Sequence, residues 1–446
     1  MPGAEAKPPR TAVWGLGREG RAALRMLRRD DPALPLVVFD EAPDTALPDE
    51  LGDGVELIRG ADRIGEALDR VDEIVKSPGV SLYHPLIGAA RERGIRVTSL
   101  LNLWFAEHQG LTTVCVTGSK GKSTTASLIA HILGRLGHRV ALVGNIGVPI
   151  TETDAAAADC AVIEVSSYQA ADFAGLCDIA VLTSLFPEHL DWHGSLDNYY
   201  RDKLNLLRHC RHAVVDRAAA ATVERIVGER PAVLFPDDES IHWRGVRMFD
   251  RGAVIGAVAN AHLARPHNLA NLCAALNVTR LLGADPRDGL AVAEDFCGLP
   301  HRQQELGERD GMLFVDDSIS TTPQSTLAAL AVYAGRPVTV ILGGYDRGVD
   351  YGGLVAALNA GAARAAICLG DSGPRIHRAI QAGVASGQQP RCAAFLAASM
   401  QEAVASARQL TPAGGVVLLS PAAPSYGPYH DFAERGRDFA AKAGFA

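Results

Sequence analysis

The run VTGSKGKSTTASLIAHIL, residues 116–133, passes from strand to loop to helix and sets the class of the whole chain. Residues 111–116 form an apolar stretch long enough for a buried strand, and Leu128, Ile129, Ile132 and Leu133 recur at helical spacing. Between them, Gly118 and Gly121 let backbone amides approach an anion, and the following helix aims its positive end at it. Lys122 is placed to reach terminal phosphates and Ser123 to ligate Mg²⁺. The full spacing G-x-x-x-x-G-K-[ST] fails because position 116 is Val. The shorter G-x-x-G-K-S remains, and a plain glycine turn is its alternative reading.

Upstream, residues 12–14, 36–39 and 73–75 read as parallel strands among helical patterns. GLGREG follows the first of them, placing Gly15, Gly17 and Gly20 in a G-x-G-x-x-G frame, and Asp40 ends the second strand where a dinucleotide enzyme carries its ribose-binding acid. From these residues alone, NAD binding and an ordinary strand-to-helix turn are equally open. Downstream, residues 161–165 and 179–183 read as buried strands, and a third segment has its own at 313–315, 338–342, 366–369 and 416–419. The alanine-rich stretch around Ala356, AALNAGAARAA, reads as helix. The expected organisation is α/β in three domains, 1–108, 109–300 and 301–446, since 446 residues exceed what one core organises.

Bulk properties narrow the function classes. A net charge of −8 with only short basic clusters gives no support to a nucleic-acid surface. Eight scattered cysteines without a C-x-x-C pair fit a reducing cytoplasm better than a disulfide frame or a zinc site. The N-terminal MPGAEAKPPRT lacks an apolar signal core and no run reaches membrane-spanning length, so a cytoplasmic protein without a membrane partner is expected.

Polar groups recur just past the expected strand ends, where open α/β sheets bind ligands. GNIG supplies Asn145, and IEVSSYQ puts Glu164 at a strand end, the natural place for a Mg²⁺ partner after a phosphate loop. TSLFPEHLDWHGSLDNYYRDK adds His189, then Lys203 in a helix. ARPHNLANLCAALN sets Asn268 and Asn271 on one helical face, able to grip an adenine or ribose or, more plainly, to cap a helix. GLPHRQQE gives Arg302, and VDDSIST gives Asp316, Asp317 and Ser318. An Arg and a loop Asp in a third domain can complete a nucleotide pocket on closure.

Taken in order, T-G-x-x-G-K-S-T, G-N-I-G, E-V-S-S-Y-Q, E-H-L-D-x-H-G-S…K, H-N-x-x-N, G-L-P-H-R, D-D-S and L-S-P-A-x-x-S resemble the Mur ligase family over nearly the whole chain. The resemblance implies a Rossmann-like UDP-binding domain, a central P-loop ATPase-like domain and a Rossmann-like C-terminal domain. It is strongest toward the branch that adds glutamate to UDP-N-acetylmuramoyl-L-alanine with ATP and Mg²⁺, through an acyl phosphate on the L-alanyl carboxylate, in a monomeric enzyme.

The glycine-rich N-terminal loop then serves UDP rather than NAD, with Gly15, Leu16, Gly17, Asp40, Ser77, Pro78, Gly79 and Asn145 on the sugar-nucleotide side. The family pattern assigns Gly118, Ser119, Lys120, Gly121, Lys122, Ser123, Thr124, Asn271, Arg302 and Asp317 to ATP. Ser123, Glu164 and His189 go to Mg²⁺. Lys203 matches a lysine that carries a carbamate, an added carboxylate that helps place a second Mg²⁺. Lys122, His189 and Lys203 are the implied catalytic residues.

The departures from the pattern gather where the amino acid should sit, at Thr321, Arg347, Ser425, Tyr426 and Phe432. D-glutamate-adding relatives carry Lys where this chain has Ile319, Lys where it has Arg347, and S-F-D or S-L-D where it has Ser425 and Tyr426. Isoleucine removes a point charge that a second carboxylate would feel, and Arg in place of Lys turns a point charge into a planar fork. With the WGLGREGRAA opening, these changes favour L-glutamate, D-glutamate being the alternative. Folylpolyglutamate synthase shares the phosphate loop but lacks the N-terminal segment. An NAD-dependent oxidoreductase leaves TGSKGKST without a role, and a nucleotide-sensing module has no need of Lys122 or His189.

Overall fold

Five strands at the N-terminus pair in parallel, in the order Val55–Arg59, Leu36–Asp40, Thr11–Trp14, Glu73–Lys76, Arg96–Ser99. The order reverses beside Thr11–Trp14, so the crevice of this sheet opens between the loops after Trp14 and Lys76. The computed structural model describes residues 10–43, 45–47, 54–144, 150–151, 157–229, 232–382 and 391–445.

A second parallel sheet runs Ala232–Phe235, Cys210–Asp216, Cys177–Leu182, Thr112–Thr117, Cys160–Glu164, Val140–Gly144. Its central strands are fully buried runs of Val, Ile, Ala and Cys, the composition a sheet covered on both faces requires. Thr112–Thr117 delivers the phosphate loop between two neighbours, with Val116 opposite Glu164 and Thr117 opposite Leu182. The helix Lys122–Arg135 packs its apolar face against Pro266–Leu281.

A small antiparallel sheet, Ile241–Arg244, Arg247–Asp250 and Ala253–Ala257, follows the second sheet. Two tight turns make it, with positive φ at Gly245, Arg251 and Gly252.

The third large sheet runs Gln304–Arg309, Met312–Asp316, Val416–Leu419, Val338–Leu342, Ala365–Cys368, Ala393–Leu396, antiparallel only at its first pair. Here one sequence expectation is corrected. The alanine-rich stretch 356–366 is helical only up to the end of Gly352–Asn359; Gly361 then turns at φ +99°, and the strand expected at 366–369 runs Ala365–Cys368, taking in the last two residues of the stretch. Alanine tolerates both states, and full burial beside Val338–Leu342 decided for the sheet.

The chain divides into two compact units, Met1–Phe296 and Cys297–Ala446. Within the first, Val13 and Leu24 of the N-terminal sheet region share one apolar core with Trp104, Phe105, Phe173 and Leu204, so the two large sheets are cemented together. The second unit has its own cores on either face of its sheet.

Candidate active site

The N-terminal loop is built by its glycines. Gly15 has φ +92°, and a Cβ at Gly20 would collide with Gly15 O, so the helix Arg18–Asp30 lies directly against the turn. At Gly17 the space above the backbone is open. Ser77 Oγ donates to Gly15 O at 2.6 Å, tying the two loops of the crevice together. Asp40 braces this loop: Oδ2 accepts Leu16 N–H at 3.0 Å, while Oδ1 accepts from Ala42 N and Thr45 Oγ1. Pro78 and Gly79 offer their carbonyls to Trp192 Nε1 at 3.1 and 3.3 Å. Asn145 lies outside the described residues.

The phosphate loop is equally constrained. Gly118 and Gly121 have φ +148° and +88°, and a Cβ at Gly118 would strike Thr183 Oγ1. A Cβ at Gly121 would come to 2.5 Å from Asn271 Oδ1, so the Asn271 side chain leans over the loop. Asn271 is oriented from both sides, accepting from Thr125 Oγ1 and donating to Asn268 Oδ1, each at 3.2 Å. Asn268 itself donates to His262 O rather than capping a helix. Ser119 Oγ sits 2.8 Å from Tyr199 Oη and donates to Phe186 O, while Lys120 N–H donates to Ser184 Oγ. The Lys120 ammonium is outside, paired with Glu188 at 2.6 Å. Ser123 and Thr124 open the helix, with Ser123 buried.

Two ammonium groups converge on one carbonyl. Lys122 Nζ donates to Gly118 O at 2.9 Å and to Ser119 O at 3.2 Å, and Lys203 Nζ donates to Gly118 O at 2.8 Å. Lys203 is 2% exposed. Burial first and the neighbouring Lys122 charge second bring its amine down to about 7. Glu164 ends its strand, buried, beside the loop. His189 has φ +53°, and desolvation lowers its pKa. No group of three or more His, Cys, Asp or Glu poised to hold a metal occurs among the described residues.

Lys122, His189 and Lys203 line a cleft of about 190 Å³ with Pro78, Glu19, Glu188, Ser166, Ser167 and Tyr168. A cavity of about 690 Å³, lined among others by Arg96, Asn102, Asp172 and Arg211, is larger but holds none of the expected residues. Lys122 and Lys203, whose amines converge on Gly118 O, both line the smaller cleft. Glu19, which sequence reasoning passed over, has its carboxyl pushed up to about 7 by burial and accepts from Gln169 Nε2 at 2.6 Å.

The second unit carries the remaining residues. His301 and Gln303 have φ +61° and +46°, so strained backbone brackets Arg302. His301 Nδ1 lies 2.6 Å from Asp316 Oδ2 and holds that turn. Asp317 accepts from Ser420 Oγ at 2.7 Å and Gln303 N at 3.1 Å, and burial raises its carboxyl to about 6. Arg347 Nη2 donates to Thr321 O at 3.3 Å; its neighbour Asp346 is taken up by Arg375, at 2.8 and 2.6 Å, rather than by Arg347. Ser425 is buried, Tyr426 is exposed against Tyr345 with ring centres 6.1 Å apart, and Phe432 packs edge-on to His301.

Arg435, unmarked in the sequence reading, ties these loops together. Its guanidinium donates to Ser318 Oγ, Ser318 O and Ala423 O at 2.8–3.0 Å. Its partners lie so far along the chain that no local motif could reveal it.

Three domain families match the chain: the Mur ligase MurD-like N-terminal domain over residues 9–99, the Mur ligase middle domain over 116–279 and the Mur ligase glutamate ligase domain over 301–423. The UDP-N-acetylmuramoyl-L-alanine--L-glutamate ligase of Micromonospora sp. is 44% identical over 96% of this chain and 95% of its own. The proteins of the same name from Salinispora tropica and Xylella fastidiosa are 42% and 41% identical, over 97% and 98% of this chain and 96% and 95% of theirs. Among solved structures, the UDP-N-acetylmuramate-alanine ligase of Thermotoga maritima superposes with TM-score 0.57 at 17% identity, covering 98% of this chain and 99% of its own. The MurF ligase of Thermotoga maritima in complex with ADP gives 0.53 at 16%, covering 99% and 96%. At such identities the structures speak to the fold.

Proposed function

Because the chain belongs to the Mur ligase family, a family of three-domain ATP-dependent ligases, we propose that it joins L-glutamate to UDP-N-acetylmuramoyl-L-alanine in peptidoglycan precursor synthesis, as a monomer in the cytoplasm. The names of its relatives support this substrate pair. The observation that carries it is the cleft where Lys122, His189 and Lys203 meet Pro78 of the N-terminal crevice, so a phosphate loop and a sugar-nucleotide loop face one space. No helix among the described residues is long and apolar enough to cross a membrane, in keeping with a soluble substrate.

A carboxylate is a poor electrophile. ATP transfers its γ-phosphoryl to the L-alanyl carboxylate, breaking the bond to ADP. The neutral amine of glutamate then attacks the acyl carbon, loses a proton, and inorganic phosphate departs with the C–O bond.

Amides of residues 121–124 at the helix N-terminus cradle the phosphates, and Lys122 and Arg302 share the charge of the moving phosphoryl. Asn271 and Asp317 take the nucleoside, and Gly15, Leu16, Gly17 and the 77–79 turn take UDP, with Asp40 holding that loop in shape. Ser123, Glu164 and His189 would hold Mg²⁺, which would supply charge neutralisation at the phosphates. Lys203, with its amine near neutrality, is suited to react with CO₂ and become the added carboxylate.

Thr321, Arg347, Ser425, Tyr426 and Phe432 form the glutamate side. With Asp346 committed to Arg375 and Arg347 Nη2 donating to Thr321 O, the other N–H groups of the Arg347 fork serve a substrate carboxylate. Ile319, Arg347 and Tyr426 favour L-glutamate; the retained Thr321 is what speaks for D-glutamate.

ADP release measured with Mg²⁺, ATP and UDP-N-acetylmuramoyl-L-alanine should require glutamate, and Lys122→Ala should lower it on the order of a hundredfold or more. ATP turnover indifferent to the sugar nucleotide would defeat the reading.

A further inference from the structure

Ser167, at the edge of the cleft, heads a chain of buried hydrogen bonds that the roles above leave unused. His193 is fully buried, with Nδ1 2.6 Å from Asp202 Oδ2 and Nε2 3.0 Å from Ser167 Oγ. Asp202, next to Lys203 in the helix Leu196–Arg208, accepts from Tyr83 Oη at 3.0 and 3.2 Å. Tyr83 belongs to the segment that follows the 77–79 turn. That segment also grips His193's neighbour: Trp192 Nε1 donates to Pro78 O, and Ser81 Oγ donates to Trp192 O at 2.8 Å.

For a neutral imidazole the donor inventory gives the chain one direction. A carboxylate only accepts, so Tyr83 and His193 Nδ1–H both donate to Asp202. In the neutral imidazole Nε2 must then accept, and the Ser167 proton is committed to it. The lone pairs of Ser167 Oγ are left for the cleft. Ser, His and Asp in this order activate nucleophiles elsewhere. Here the chain runs on through Asp202 to Tyr83, which is half-exposed and outside the cleft, an arrangement suited to positioning.

We propose that Tyr83, Asp202 and His193 are positioning residues that couple the sugar-nucleotide loop to the cleft and present Ser167 Oγ as a hydrogen-bond acceptor for an N–H or O–H donor of the sugar-nucleotide substrate, such as its L-alanyl amide. This rests on the function proposed above.

The test compares wild type with Tyr83→Phe, Ser167→Ala, Ser167→Thr and the double variant Tyr83→Phe/Ser167→Ala. It reads KM for UDP-N-acetylmuramoyl-L-alanine and for ATP, with calorimetric binding of the sugar nucleotide alongside. Tyr83→Phe removes one hydroxyl at a half-exposed site, so folding is not at stake. Each of Tyr83→Phe and Ser167→Ala should raise the sugar-nucleotide KM roughly tenfold, the scale of one hydrogen bond to a charged or committed partner. KM for ATP should stay within twofold, and Ser167→Thr should restore binding. The double variant should be no worse than Ser167→Ala alone, because Tyr83 acts through Ser167. Independent multiplying effects, equal movement of the ATP KM, unchanged sugar-nucleotide KM in both singles, or substrate-derived acylation of Ser167 would each overturn the relay. A wild type that neither turns over nor binds the sugar nucleotide would instead sink the function.

Discussion

At the scale of single residues, the phosphate loop was legible because its chemistry is local. Gly118 and Gly121 occupy backbone conformations that side chains rarely adopt, and Lys122 follows directly, so a short motif contains the device. His193, His301 and Arg435 were not legible, because each acts through a partner brought close only by the fold; Arg435 reaches Ser318 across 117 positions. Asp40 was found at its strand end, and there its oxygens accept from Leu16, Ala42 and Thr45.

Lys203 yields a pH prediction. Its folded-state pKa, about 7, lies below the ordinary lysine value near 10.4. From pH ~7 to ~10 the unfolded chain therefore binds the extra proton, and this group's contribution to stability rises with pH across that window. The same neutral amine is the form that would react with CO₂ under the proposed carbamylation. In ¹³C-bicarbonate, one carbamate resonance should grow between about pH 6 and 8 and vanish in Lys203→Arg; a resonance untouched by that change would assign it to another lysine.

Among the elements, interior strands announced themselves and edge strands did not. Val338–Leu342 and Val416–Leu419 are buried throughout and read as unbroken apolar runs. Val55–Arg59 lies at a sheet edge, where Glu56 and Arg59 interrupt its apolar residues, and Ala393–Leu396, largely exposed at another edge, is apolar but alanine-rich and equally readable as helix. The antiparallel hairpins at 241–257 were missed because their turn signals, Gly245 and Gly252, sit among charged residues rather than between alternating apolar ones.

The last helix, Phe432–Lys442, holds a glycine whose replacement inverts a general rule. Gly to Ala inside a helix normally stabilises by about 1 kcal/mol. At Gly436 the new Cβ would run into His301 Nδ1 and Asp316 Oδ2, the pair that shapes the turn carrying Arg302. Gly436→Ala should therefore lower the stability of the Cys297–Ala446 unit by roughly 1–3 kcal/mol, the cost of overpacking, in a denaturant titration. A gain in stability would show that the turn yields freely.

For the whole molecule, the shared core predicts how many parts melt. Residues 1–108 and 109–300 read as separate domains in the sequence, yet Val13, Trp104, Phe105 and Phe173 belong to one apolar cluster. Phe105→Ala should cost roughly 3–5 kcal/mol and lower the transition of Met1–Phe296 as a single step, leaving that of Cys297–Ala446 in place. Separate melting of the N-terminal sheet in calorimetry would contradict this.

The central claim concerns the acceptor and the amino acid together, and one measurement reaches both. Product formation from UDP-N-acetylmuramoyl-L-alanine, ATP and Mg²⁺ is followed with L-glutamate and with D-glutamate, and the product is hydrolysed to determine glutamate chirality. The account predicts turnover with L-glutamate, at least a hundredfold slower product formation with D-glutamate, and L-glutamate in the product. Preference for D-glutamate would contradict the reading of Ile319 and Arg347, and no product with either would contradict the ligase itself.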